Sequence, residues 1–139
     1  MISRTGSSDR HAPWLVGWLG LAVLGVANGA AREGLYPDSL SDGDANRIST
    51  VVLAILILGY AAVLQRARPL SRPAVAWRIG ALWLALTIAF EFGFGLLTGT
   101  PLEELLADYD VTEGRFWVLI PITTFVAPAL TRALFARRR

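Results

Sequence analysis

Cysteine is absent from the 139 residues, which excludes disulfides, thiolate nucleophiles and cysteine metal sites. Lysine is absent too. All thirteen basic side chains are arginines and the formal charge is only +2, too small an excess to point to nucleic acid. The single histidine, His11, precedes the first apolar run, so no histidine cluster can form. Charge as a whole is scarce: 17% of residues are charged and 54% are apolar, against about 25% and about 45–50% in a soluble domain. Together these deficits exclude most metal, redox and nucleic-acid functions and point to lipid as the solvent.

What is present is long apolar runs. A membrane-crossing helix needs about 20 mainly apolar residues, and four segments approach or meet that length: Pro13 to Ala31, Ile48 to Leu64, Ile79 to Thr98 and Phe116 to Thr131. With their flanks they predict spans at about 13–33, 47–65, 76–98 and 115–135. Within lipid the backbone must satisfy itself, so these are helices. The expected fold is all-α: one membrane domain over 1–139, a four-transmembrane-helix bundle.

Arginine placement orients it. Arg4, Arg10, Arg66, Arg68, Arg72, Arg78, Arg132 and Arg137 to Arg139 fall on one side of the spans, and Arg32, Arg47 and Arg115 on the other. The positive-inside rule then puts both termini in the cytoplasm of a bacterial inner membrane. Nine of the eleven acidic residues lie in the two connections on the opposite side, in agreement. Trp14 and Trp117 stand where interfacial aromatics are expected. The first segment has a rival reading as a signal peptide ending in "ANGAA", but its long polar start and near-spanning apolar run favour a retained helix.

Between the third and fourth spans, "TGTPLEELLADYDVTEGR" predicts a short amphipathic interfacial helix at about 101–109. Thr100 is the expected cap, Pro101 suits the first turn and Glu103 completes a capping box. Leu102, Leu105, Leu106 and Tyr109 form one apolar stripe. "SDGDANRIS" resembles the first half of a calcium loop through Asp42, Asp44 and Asn46. Arg47 stands where that loop needs Gly, and Leu53 where it needs the bidentate Glu, so a solvated turn capping the second helix is expected and no metal. Pro121 and Pro128 predict kinks in the fourth helix, with Thr123 and Thr124 satisfying freed backbone groups.

Glu91 is the exception within the apolar runs. A charged side chain near the bilayer centre costs about 2.5–3.5 kcal/mol on insertion scales, and such groups face protein or water and have partners. At 1.5 Å per residue it lies roughly 10 Å below Thr98. Gly95 and Gly99 continue its stripe, and Gly25 and Gly29 form a matching small-residue face on the first helix. The expectation is close packing of these two helices along the glycines, with Asn28 and Arg32 turned to Glu91 and with Arg47 and Arg115 closing the cluster from above. A Glu91–Arg32 pair would then organise the bundle. The alternatives are a proton- or ion-coupled carrier using Glu91, or an external small-anion site built from the arginines. With a single carboxylate inside the spans, no paired-acid or nucleophile–base constellation is visible, so no enzyme and no cofactor are expected. The expected partners are the bilayer and a second copy of the chain or another membrane protein, met through Gly17 and Gly20.

"NGAARE", "IST", "FEFGFG" and "LLADYDVTEGRFWVL" together resemble a family of small uncharacterised bacterial membrane proteins, over most of the chain from Asn28 to Leu119. The resemblance implies four retained helices and no particular activity. Where members carry His-Gln before the Ser-Thr and Gly-His after the glutamate segment, this chain has Asn46-Arg47 and Gly95-Leu96. No role of those histidines carries over.

Overall fold

The computed structural model describes residues 11–136; Arg4, Arg10 and Arg137 to Arg139 lie outside them. Five α-helices follow one another: α1 (His11–Leu35), α2 (Asp42–Ala67), α3 (Pro73–Leu97), the short α4 (Leu102–Ala107) and α5 (Leu119–Ala136), with one 3-10 turn at Val111–Glu113. No strand occurs among the described residues. The four long helices are long and apolar enough to cross a membrane. They carry many exposed large apolar side chains, among them Val16, Val23, Ile55 and Val63. An apolar girdle of that extent is foreign to a soluble monomer and is what a lipid-facing surface needs.

The helix ends follow their sequences. Ser41 caps α2, its hydroxyl accepting from the Asp44 amide at 3.1 Å, and Asp42 and Asp44 occupy the first turn, where carboxylates meet the positive end of the helix dipole. Pro73 opens α3, where its missing N–H costs nothing. The fourth span is shorter than its sequence suggests and begins at Leu119 rather than near 115. Gly114 takes a left-handed φ of 73° and ends the 3-10 turn, so residues 115–118 are spent bringing the chain back into the bundle. Pro121 consequently falls in the first turn of α5, where it displaces no hydrogen bond, and only Pro128 is interior. The Thr124 hydroxyl bonds to Ile120 O, whereas the carbonyl left free by Pro128 is that of Thr124 itself. The threonine repair expected from the sequence is therefore not made there.

Packing forms a ring. α5 makes the most extensive seams, with α3 and with α2; α1 closes the ring through lesser seams with α2 and α3; α2 and α3 lie across the ring without a seam, as do α1 and α5. The α3–α5 seam is close because Gly80 lies against the Phe125 carbonyl, which a Cβ would strike. α1 and α2 meet where Tyr60 lies across Gly17 and Gly20, its hydroxyl donating to Gly17 O at 2.7 Å. Those two glycines are thus used inside the bundle. A second copy would not find them open.

The arginine-rich end is the tightly knit one. Trp14 and Trp83 are fully buried with ring centroids 5.5 Å apart. Trp83 Nε1 donates to Trp14 O at 2.8 Å, and Trp14 Nε1 to Arg68 O at 3.0 Å. Trp14 is therefore a core residue, not a lipid-facing interfacial anchor, because its indole N–H finds a carbonyl inside the protein. Gln65 is buried and bridges both the amide and the carbonyl of Leu70, and Arg132 donates to Ser71 O. The opposite end is looser.

Candidate functional site

At that looser end a cavity of about 530 Å³ opens between α1 and α3. Its lining runs along α1 from Trp18 to Glu33, about 22 Å at 1.5 Å per residue, and along α3 from Thr87 to Thr98. Leu53, Ile57, Ile120 and Thr124 from α2 and α5 form its floor, while Leu105 and Asp108 approach from α4. A volume of this size lies within the range of small-molecule sites, about 300–1,000 Å³.

Glycine makes the space. A Cβ at Gly25 or Gly29 would have nothing within 4 Å, and both residues line the cavity. The predicted backbone-to-backbone approach of α1 and α3 along these glycines is therefore replaced by a gap. Gly95 is buried, but what it admits is Leu105 of α4, whose Cδ2 would lie 2.6 Å from an added Cβ. Gly99 has φ of 90° and ends α3; its role is to turn the chain toward α4, not to pack helices.

Asn28, Arg32 and Glu91 all line the cavity, yet they do not bond to one another. Asn28 is buried and its Nδ2 donates to Ser49 O at 3.2 Å; Arg32 reaches the Ser49 hydroxyl at 3.5 Å. Both α1 side chains thus turn to α2. Among the described residues the ion pairs are Arg47–Asp44 at 2.6 Å and Arg115–Asp108 at 3.1 Å, and neither Arg32 nor Glu91 joins them. The expected Glu91–Arg32 pair is absent because Ser49 draws the guanidinium away. Arg47 also donates to Gly114 O at 2.9 Å. It ties the start of α2 to the 110–114 turn instead of closing the cluster, and Arg115 is likewise spent on Asp108.

The partner of Glu91 is Tyr109, whose hydroxyl donates to Oε2 at 2.5 Å. Burial foremost, and then the bond to Glu91, push the Tyr109 hydroxyl well above the ordinary phenol range, so it remains a proton donor at any physiological pH. The Tyr109 ring stacks on Phe92, centroids 5.9 Å apart. α4 is thereby fixed by its Leu105–Tyr109 side, while Leu102 and Leu106 of the same predicted stripe stay exposed. The cap differs from expectation: α4 starts after Pro101 with no side-chain bond, and the Thr100 amide instead closes onto Gly95 O. Beyond Tyr109, Asp110 caps the 3-10 turn by accepting from the Thr112 hydroxyl and amide, which holds its carboxyl below the usual range.

The remaining wall is aromatic. Trp18 meets Phe90 edge-on at 5.9 Å and Phe90 stacks on Phe94 at 5.6 Å. Trp18 Nε1 is committed to Thr87 Oγ1 at 3.0 Å. Thr87 is one helical turn before Glu91 on the same face, a spacing the sequence displays. Tyr109 and Ser49 carried no comparable signal, since both act across the fold from connectors or facing helices.

No protein-family profile, curated protein or solved structure matches the chain.

Proposed function

We propose that the chain is a small multi-pass protein of a bacterial inner membrane, with cytoplasmic termini, that binds a small solute in the cavity between α1 and α3. One observation carries this reading: Arg32 and Glu91 line the same cavity of about 530 Å³ without pairing. A pair whose purpose is to fix helix on helix would close the space between its members. Here Asn28 and Arg32 hold α1 on α2 through Ser49, and that part of the cluster is architectural. Glu91 faces the space with neutral donors only, Tyr109 and Trp117. The role is binding rather than bond-making, since the lining offers no nucleophile–base pair. In this placement α4 lies at the outer interface, Leu102 and Leu106 toward lipid and Leu105 toward the bundle. Carrier activity requires that the cavity also open past Trp14 and Trp83, which fill the bundle at the arginine-rich end.

The absence of native cysteine provides the test. Gly29→Cys and Gly25→Cys place a thiol in the cavity, and Val23→Cys, at a 67% exposed position on the outer face of α1, places one in lipid. In right-side-out vesicles, a membrane-impermeant maleimide added from outside is expected to label both glycine positions and to spare Val23→Cys, because thiolate forms only where water reaches. Protection of Gly29→Cys and Gly25→Cys from both sides would overturn the reading.

A further inference from the structure

We infer that the solute is an amphipathic organic cation: an apolar, aromatic-sized body carrying one delocalised or quaternary positive charge. The inference rests on the cavity-binding reading above and deepens it. Four ionisable side chains line the space, namely Arg32, Glu33, Glu91 and Asp108, three acids to one base. Asp108 is held by Arg115 at 3.1 Å, and Arg32 is drawn to the Ser49 hydroxyl at 3.5 Å. Glu33 and Glu91 are the lining acids with no cation within ion-pair distance, and of the two Glu91 lies within the span, where its donors are the neutral Tyr109 phenol and Trp117 indole. A carboxylate at that depth needs a compensating charge, and the protein does not supply it.

The walls favour a cation over the other charge classes. An anion would find one charged donor, Arg32, and that guanidinium is turned to the Ser49 hydroxyl, while the Trp18 indole N–H is spent on Thr87 and the Asn28 amide on Ser49. What the wall presents is ring surface, from Trp18, Phe90, Phe94 and Trp117. Aromatic faces attract a cation within about 6 Å of the ring centroid and are indifferent or repulsive to an anion. A small inorganic cation is a poor fit, because the apolar floor of Leu53, Ile57 and Ile120 cannot replace its hydration shell. An organic cation loses little hydration and gains the apolar contact.

Two ions of one shape and opposite sign make the test. Full-length protein in phosphatidylcholine nanodiscs is titrated with tetraphenylphosphonium and, separately, with tetraphenylborate, each against empty nanodiscs. Saturable binding of the phosphonium ion is expected, with no saturable component for the borate ion. Glu91→Gln should weaken the phosphonium ion at least tenfold, and Gly29→Trp, which fills the space without touching charge, should abolish its binding. Saturable binding of the borate ion as tight as that of the phosphonium ion would overturn the cation assignment, and that comparison needs no variant to fold. Phosphonium binding unchanged by Glu91→Gln, in protein whose helical content is intact, would overturn it as well. If neither ion binds while Gly29→Cys is labelled from outside, the cation class fails and the cavity reading stands; if Gly29→Cys is not labelled, the cavity reading itself fails.

Discussion

Tyr109 and Glu91 meet across 18 residues of chain, the phenol donating to the carboxylate Oε2 at 2.5 Å. That bond joins α3 to the segment following α4 and holds the roof of the cavity against its wall. A hydrogen bond to a charged acceptor contributes about 1.5–3 kcal/mol. Tyr109→Phe keeps the ring against Phe92 and removes only the bond. It is expected to destabilise the bundle by about 1–3 kcal/mol and to raise hydrogen exchange in residues 102–109 before exchange elsewhere. Unchanged exchange in that segment would show that α4 is not held by this bond.

Glu91 and Arg32 should be energetically independent. Because Arg32 bonds to Ser49, a double-mutant cycle with Glu91→Gln and Arg32→Gln in a lipid-like medium is expected to show a coupling below about 0.5 kcal/mol, the usual limit for groups that share no partner. Coupling above about 1 kcal/mol would restore the paired arrangement expected from the sequence.

The glycines divide into two kinds, and alanine distinguishes them. At Gly80 an added Cβ strikes the Phe125 carbonyl, so Gly80→Ala must part α3 from α5; a loss of about 3 kcal/mol is expected, the upper range of overpacking. At Gly25 the Cβ meets nothing within 4 Å. Gly25→Ala is expected to be neutral or to stabilise by up to about 1 kcal/mol through helix propensity. Thermal unfolding of the two variants in the same lipid provides the comparison, and equal effects would contradict the gap between α1 and α3.

Trp83 both fills the core and donates to Trp14 O. Trp83→Phe leaves a buried acceptor with less support and a partial void, and should cost about 2–4 kcal/mol. Trp77→Phe, at a 45% exposed position on the same helix, should cost under about 1 kcal/mol. The two melting temperatures decide the matter.

The 110–114 turn should loosen in acid. The Asp110 carboxyl is held below its ordinary value chiefly by its bonds to Thr112. A folded value beneath the unfolded one means the stabilisation is complete above the unfolded carboxylate range, near 3.9, and is lost as pH falls through the lower folded value. The Thr112 amide resonance is expected to move over that interval, and Asp110→Asn should remove the movement while leaving the helices intact.

The four long helices were legible because each apolar run is long enough that lipid leaves its backbone no alternative. Helix rotation was not legible. α3 is apolar nearly all round, so no polar face announces which side meets α1, α5 or lipid. The glycine spacing at 25 and 29 signals small residues and hence close contact, whereas the same absence of side chain also makes room. Asn28, Arg32 and Glu91 were placed about one space because their depths along the helices could be counted. Their bonds could not be counted, since Ser49 and Tyr109 reach them only through the fold. Trp14 sat at the end of an apolar run, where a lipid anchor and a buried core residue look alike until the neighbouring helix is known.

The ring of seams also has a direction in time. α2 and α3 share no seam, and each makes its most extensive contact with α5, the last of the four long helices in chain order. A nascent chain that has inserted α1, α2 and α3 owns only the weaker seams, fastened by Tyr60 on Gly17 and Trp83 on Trp14. Until α5 is in place, the face of α3 around Gly80 lacks the Phe125 backbone it packs on. α5 is therefore the keystone of the bundle: the other three long helices are joined to one another only through the lesser seams of α1.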